Sequence, residues 1–176
     1  MRLFIATELP EPMLDALAET SAALRAQVRG RYVGTDSFHV TLAFLGNVEN
    51  WRVNDIADLL ESACAPHDAF ETSLGELGNF GRANKATLWQ GFTDRSAFAA
   101  LAKSVRSELA RLDFNFDGKG FIPHVTLMRN ADLREGVLPM PCVARGTIST
   151  VTLFASDLSG DRPVYTPLSR VSLLSS

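Results

Sequence analysis

The chain has 176 residues, enough for one sizeable core or two small lobes that share an interface. Its 46% hydrophobic and 21% charged residues are an ordinary globular balance, and no run approaches the 18 apolar residues that signal a membrane span. A net charge of −3 argues against a protein that coats long nucleic acid, while leaving room for a local basic cleft around a small phosphate ligand.

Leu3 to Thr7 reads as the first strand. The opening Met1-Arg2-Leu3-Phe4-Ile5-Ala6 meets Glu8 and Pro10 too soon for a secretory signal. Glu11 to about Val28 reads as a helix, with Leu14, Leu17, Ala18, Leu24 and Val28 at mostly helical spacings and Gly30 as its C-cap. Phe38 to Leu45 is a strand, and Asn50 is placed to cap a helix from Trp51 to about Ala63. Pro66-His67-Asp68 is a turn, so the lone His67 reads as a surface residue. Strands follow at Phe70 to Leu77 and Thr87 to Phe92. Asp94 or Ser96 starts a helix running to about Leu112. Asp117-Gly118-Lys119-Gly120 turns into a strand at Phe121 to Leu127. Gly146 to Phe154 and Val164 to Leu174 read as a terminal hairpin. Cys64 and Cys142 form no recognisable framework, so a reduced pair in a cytoplasmic, monomeric protein is expected.

Two of these strands share four letters. His39-Val40-Thr41-Leu42 recurs 85 positions later as His124-Val125-Thr126-Leu127, and the chain has only three histidines. Side chains alternate along a strand, so each copy presents an imidazole and a hydroxyl on one face, about 6.5 Å apart, and buries the valine and leucine on the other. Leu3 and Leu88 open the two halves at the same offset. Strand, helix, HVTL strand thus occurs twice, with a pseudo-repeat of about 85 residues inside a single two-lobed domain. The expected fold is α+β: duplicated β-α-β units with antiparallel sheets around a central cleft, and an HVTL strand central in each lobe.

Two imidazoles facing one cleft can run acid–base chemistry near neutral pH, and two threonine hydroxyls can hold phosphate oxygens. Zinc is a poorer reading, because two histidines fall short of the usual three or four protein ligands. Two satisfied core histidines are the bland alternative. Arg129 has the wrong parity to join His124 unless a bulge or the strand's end turns it inward. Arg31 and Arg82 are read either as solvated charges or as contacts to RNA phosphate. Tyr32, Phe38, Trp89 and Phe121 have faces on which a base stacks, although Phe38 and Phe121 fit core packing equally well.

At these residues the chain resembles the two-histidine phosphoesterase superfamily, and within it the bacterial and archaeal RNA 2',3'-cyclic phosphodiesterases, also called 2'-5' RNA ligases. The resemblance spans nearly the whole chain: Arg2 to Ala6, Arg31-Tyr32-Val33 through Phe38 to Leu42 with Phe44-Leu45-Gly46, Leu88-Trp89, Pro123 to Leu127 with Arg129, and Ser156 through Gly160 with Tyr165. It implies an enzyme that opens RNA 3' ends bearing a 2',3'-cyclic phosphate, leaving a 2'-phosphate. It implies no cofactor, no metal and no membrane. It adds reversible 2'-5' joining of tRNA fragments in some members. His39 would be the acid and His124 the base, with Thr41, Thr126 and Arg129 on the phosphate. Tyr32 stands where the family often has tryptophan, and Arg82 to Ala86 lacks a usual proline-arginine pair; both bear on contacts to the RNA body. Alternatives are a phosphodiesterase for small cyclic nucleotides or ADP-ribose cyclic phosphate, and a non-catalytic RNA-end-binding module.

Overall fold

The computed structural model describes residues 1–175. Its first strand, β1 (Arg2–Thr7), is buried along nearly its whole length, as the unbroken run Leu3-Phe4-Ile5-Ala6 requires. Helix α1 (Glu11–Arg25) and strands β2 (Arg29–Tyr32) and β3 (Val40–Asn47) follow. Helix α2 (Val53–Cys64) leads to β4 (Phe70–Phe80) and β5 (Ala86–Phe92). Helix α3 (Ser96–Arg111) precedes β6 (Val125–Asp132), β7 (Arg145–Ile148), β8 (Thr150–Asp157) and β9 (Val164–Ser172). One sheet has four strands in the order β3-β1-β8-β9, and the other has five in the order β2-β6-β5-β4-β7. All strand pairings within them are antiparallel. The HVTL segments therefore belong to different sheets, each beside the strand that opens its own half.

The helices are exchanged between the halves. α1 follows β1 in sequence, yet Met13, Leu17 and Leu24 pack with Leu74, Leu88, Val125 and Ile148 beneath the five-stranded sheet. α3 follows β5, yet Leu101, Val105 and Leu109 pack with Leu3, Ile5, Leu42 and Leu153 beneath the four-stranded sheet, beside Ile56 and Leu60 of α2. Burying one such side chain contributes about 1.5–3 kcal/mol. α1 thus covers the sheet that holds the second HVTL strand, and α3, together with α2, covers the sheet that holds the first, which ties the two sheets together around one cleft.

Several boundaries differ from the sequence reading. Strand pairing begins only at Val40 and Val125. Phe38 and His39 follow a 3-10 turn at Thr35–Ser37, and Phe121 to His124 form an irregular lead-in where Pro123 has no N–H to give a ladder. β3 is an edge strand, whereas β6 is flanked on both sides. Gly30 is not a helix cap: α1 ends at Arg25, and Gly30 sits in β2, where a side chain would come within 2.9 Å of the Asn130 carbonyl oxygen. Gly146 to Phe154 is two strands in two sheets, because β7 pairs with β4 and β8 with β1. Asn50 opens a 3-10 turn, and its side chain caps no helix. α3 begins at Ser96 as expected, but neither Asp94 nor Ser96 caps it: Arg95 is at the N-cap without a side-chain bond, and the Asp94 carboxylate before it accepts from the Ser96 N–H at 2.9 Å and hydroxyl at 2.7 Å.

Candidate active site

Each HVTL strand bulges immediately after its threonine. Along β1 and β3, Ala6 faces Thr41 and Ile5 faces Ala43, so Leu42 is the extra residue. Along β5 and β6, Trp89 faces Thr126 and Leu88 faces Met128, so Leu127 is extra. Successive residues then turn to the core: Leu42 with Ala43, and Leu127 with Met128, all fully buried. One inserted residue flips the parity of everything after it. The position three beyond each threonine therefore joins the threonine's face, bringing Phe44 into the cleft from one half and Arg129 from the other.

The cleft has a volume of about 540 Å³, and His39, Thr41, His124, Thr126 and Arg129 all line it. The two imidazoles are held alike. His39 Nδ1 lies 2.7 Å from the Ser37 carbonyl oxygen, and His124 Nδ1 lies 2.6 Å from that of Ile122. A carbonyl only accepts, so in both rings Nδ1 carries the proton and Nε2 is the acceptor. The lead-in before each strand is what places that carbonyl two residues back. Thr41 donates its hydroxyl to His39 Nε2 at 2.9 Å. Thr126 makes no such bond to His124 among the described residues.

Aromatic rings wall both histidines. Phe4, Tyr165 and Phe154 lie 4.9, 5.5 and 6.5 Å from His39, centre to centre. Phe80 and Trp89 lie 5.0 and 5.7 Å from His124. Phe4 and Trp89 are also 85 positions apart. The Trp89 ring lies across Gly78, its partner on β4, where any side chain would collide with it. Burial among these rings pushes His39 down to about 4; the Ser37 carbonyl pulls the other way, and the nearby His124 and Arg129 add to the depression. His124 is also lowered, mainly by burial and then by Arg129, against the Ile122 carbonyl. Both shifts favour the uncharged ring, whose Nε2 accepts.

The other residues marked in the sequence scatter. Phe121 lines the cleft. Arg31 is exposed on β2 opposite Arg129, and does not line it. Tyr32 turns away, donating its hydroxyl to the Val28 carbonyl at 2.7 Å with its ring 5.0 Å from the Arg25 guanidinium. Phe38 is buried in the core of the five-stranded sheet and has no face to offer a base. Arg82 is exposed in the β4–β5 turn. His67 bonds the Ser104 hydroxyl at 2.7 Å outside the cleft. The lining also includes Phe44, Phe80, Arg106 and Tyr165, to which the sequence reading gave no role. Phe44 was findable, standing 85 positions before Arg129. The others come from elements outside the repeat's matched strands, and no spacing marks them. Among the described residues no group of three histidine, cysteine, aspartate or glutamate side chains converges.

A family profile described as the 2'-5' RNA ligase superfamily matches residues 13–140. An RNA 2',3'-cyclic phosphodiesterase of Escherichia coli K12 is 30% identical over 173 residues, covering 98% of this chain and 96% of its own. The chain belongs to the RNA 2',3'-cyclic phosphodiesterase family. Its fold agrees with two crystal structures. One is E. coli LigT complexed with 3'-AMP, at a TM-score of 0.80 and 30% identity, covering 98% of this chain and 97% of that one. The other is a Thermus thermophilus protein, at a TM-score of 0.83 and 27% identity, covering 100% of both. Family membership supports a phosphodiesterase activity. Among the described residues no helix is long and apolar enough to cross a membrane.

Proposed function

We propose that this protein adds water to the 2',3'-cyclic phosphate at an RNA 3' end, leaving a 2'-phosphate, with the two histidines as its acid and base and no metal. The observation that carries this reading is the matched pair of imidazoles. Both are held at Nδ1 by a carbonyl two residues back, and both are in one cleft with two threonines and Arg129. The E. coli relative's complex with 3'-AMP supports a nucleotide as ligand. In the proposed step His124 Nε2 takes the proton of water, the water oxygen bonds phosphorus, and the bond to O3' breaks as His39 Nε2 gives its proton to that oxygen. Thr41, Thr126 and Arg129 hold the non-bridging oxygens as charge builds on them.

His39 must be protonated before it acts. The anionic phosphodiester favours that form and works against the burial that lowers it. A 5'-hydroxyl in place of water gives 2'-5' joining at the same phosphorus, and the reverse step cuts such a link; tRNA fragments are the proposed pair of ends. The test is incubation with an oligonucleotide ending in a 2',3'-cyclic phosphate, with EDTA present. A 2'-phosphate product supports the reading. An unopened ring, a 3'-phosphate, or dependence on metal refutes it.

A second reading exchanges the roles of the histidines. The depression of His39 favours its neutral form, which suits a base. A substrate with a better leaving group at the 3' position needs little acid. Under the first assignment it rescues H39A and not H124A; under the second it rescues H124A alone.

A further inference from the structure

Two cavities meet at two side chains. Beside the cleft a groove of about 420 Å³ runs along α3, and Arg106 and Phe121 line both. Lys103, Arg106 and Ala110 lie along the groove on one row of the helix, spaced by three and four. Phe116 and Phe121, from the segment after α3, form its walls.

Arg106 is fixed at the junction. Its Nε donates to the Leu42 carbonyl at 3.0 Å, and Nη1 donates to the Lys119 carbonyl at 3.0 Å. Its guanidinium carbon lies 5.5 Å from the centre of the Phe121 ring and 5.9 Å from that of Phe116. Both acceptors are neutral, and among the described residues no carboxylate forms a salt bridge with it. Nη2 has no hydrogen bond there either. A charged fork with one free edge, set between two aromatic faces, suits a nucleotide: the rings stack a base and the free edge takes a phosphate oxygen. The reacting phosphate already has Arg129 and two hydroxyls in the cleft, which leaves Arg106 for its neighbour.

We propose that this junction binds the nucleotide immediately 5' of the reacting end, with its base on Phe116 and Phe121 and its phosphate on Arg106. Lys103, exposed at the groove's edge, adds a second positive charge. The identity of this ligand rests on the cyclic-phosphate reading. Arg106 also pins the bulge after Thr41, so its own substitution disturbs the cleft, and the test uses groove residues instead.

The experiment compares kcat/KM for a cyclic mononucleotide with that for a dinucleotide ending in a 2',3'-cyclic phosphate, in wild type, F116L and K103E. The wild type should prefer the dinucleotide by about 10-fold or more, the usual worth of one stacked base. F116L and K103E should each lower the dinucleotide value more than the mononucleotide value. Equal values in the wild type, or equal losses on both substrates, overturn the proposal. Calorimetric titration with the same mononucleotide and dinucleotide carrying a 2'-phosphate separates the two claims. If neither cyclic end is opened, the functional reading fails. The subsite then stands if the dinucleotide binds about 10-fold tighter and F116L removes that advantage. It falls if both ligands bind alike.

Discussion

The two HVTL halves hold their histidines in the same way and surround them differently. Each imidazole is fixed at Nδ1 by a carbonyl, walled by aromatic rings and followed by a bulge. Yet Phe44 stands in one half where Arg129 stands in the other, Thr41 bonds its histidine while Thr126 does not, and His39 is the more strongly depressed. In the proposed mechanism duplication supplies two proton-transfer groups, and the departures from symmetry give them different work. A site with perfect symmetry would have no means of choosing its acid.

The largest effects should come from what the halves share. H39A and H124A should each lose roughly 10²–10⁴-fold in turnover on a cyclic-phosphate end, the usual worth of a positioned proton-transfer group. Steady-state kinetics on folded variants checks this, and full activity in either would break the pairing. T41A and T126A should cost about 10²–10³-fold if each hydroxyl is a preorganised donor. They should also differ. Thr41 stabilises the neutral form of His39, so T41A should shift one limb of the pH–rate profile upward, while T126A leaves both limbs in place. Matching profiles would show that the Thr41 bond does not distinguish the halves.

The equivalent positions beyond each bulge sharpen the contrast. R129M should cost about 30-fold, near 2 kcal/mol for one lost charge-assisted contact, and F44M only a few-fold. Comparable losses would mean that the charge of Arg129 has no special part. The last effect concerns stability rather than turnover. The unfolded His39 titrates near 6.5 and the folded one near 4. Between those values the unfolded state binds the extra proton, so stability should fall as pH drops from 6.5 to 4 and the His39 contribution should level off below. Urea midpoints across that window should show a shallower slope in H39N than in wild type.

The His-x-Thr pairs, their offset and the two-sheet architecture were legible because they live in letters and periodicity. The bulges were not. Parity counting assumes a regular strand, and only the pairing of Leu88 with Met128 shows the step that carries Arg129 into the cleft. The exchange of helices was hidden for a related reason: the apolar stripe of α3 shows which face is buried, but not that Leu3 and Ile5 of the other half lie beneath it. Phe38 stayed undecided because an aromatic beside a histidine looks the same whether it packs under a sheet, as it does, or faces a cleft. Arg106 and Tyr165 reach the cleft from elements that carry no part of the HVTL motif, so tertiary structure alone brings them in.

The measurement that tests the central claim most directly is the pH dependence of kcat/KM on a 2',3'-cyclic-phosphate end, in wild type and in each histidine variant. An acid and a base acting together give the wild type a bell with two limbs, whose values belong to the coupled pair. H39A should keep one limb and H124A the other. Two variants that both retain the full bell would contradict an acid–base pair built from the two copies of HVTL.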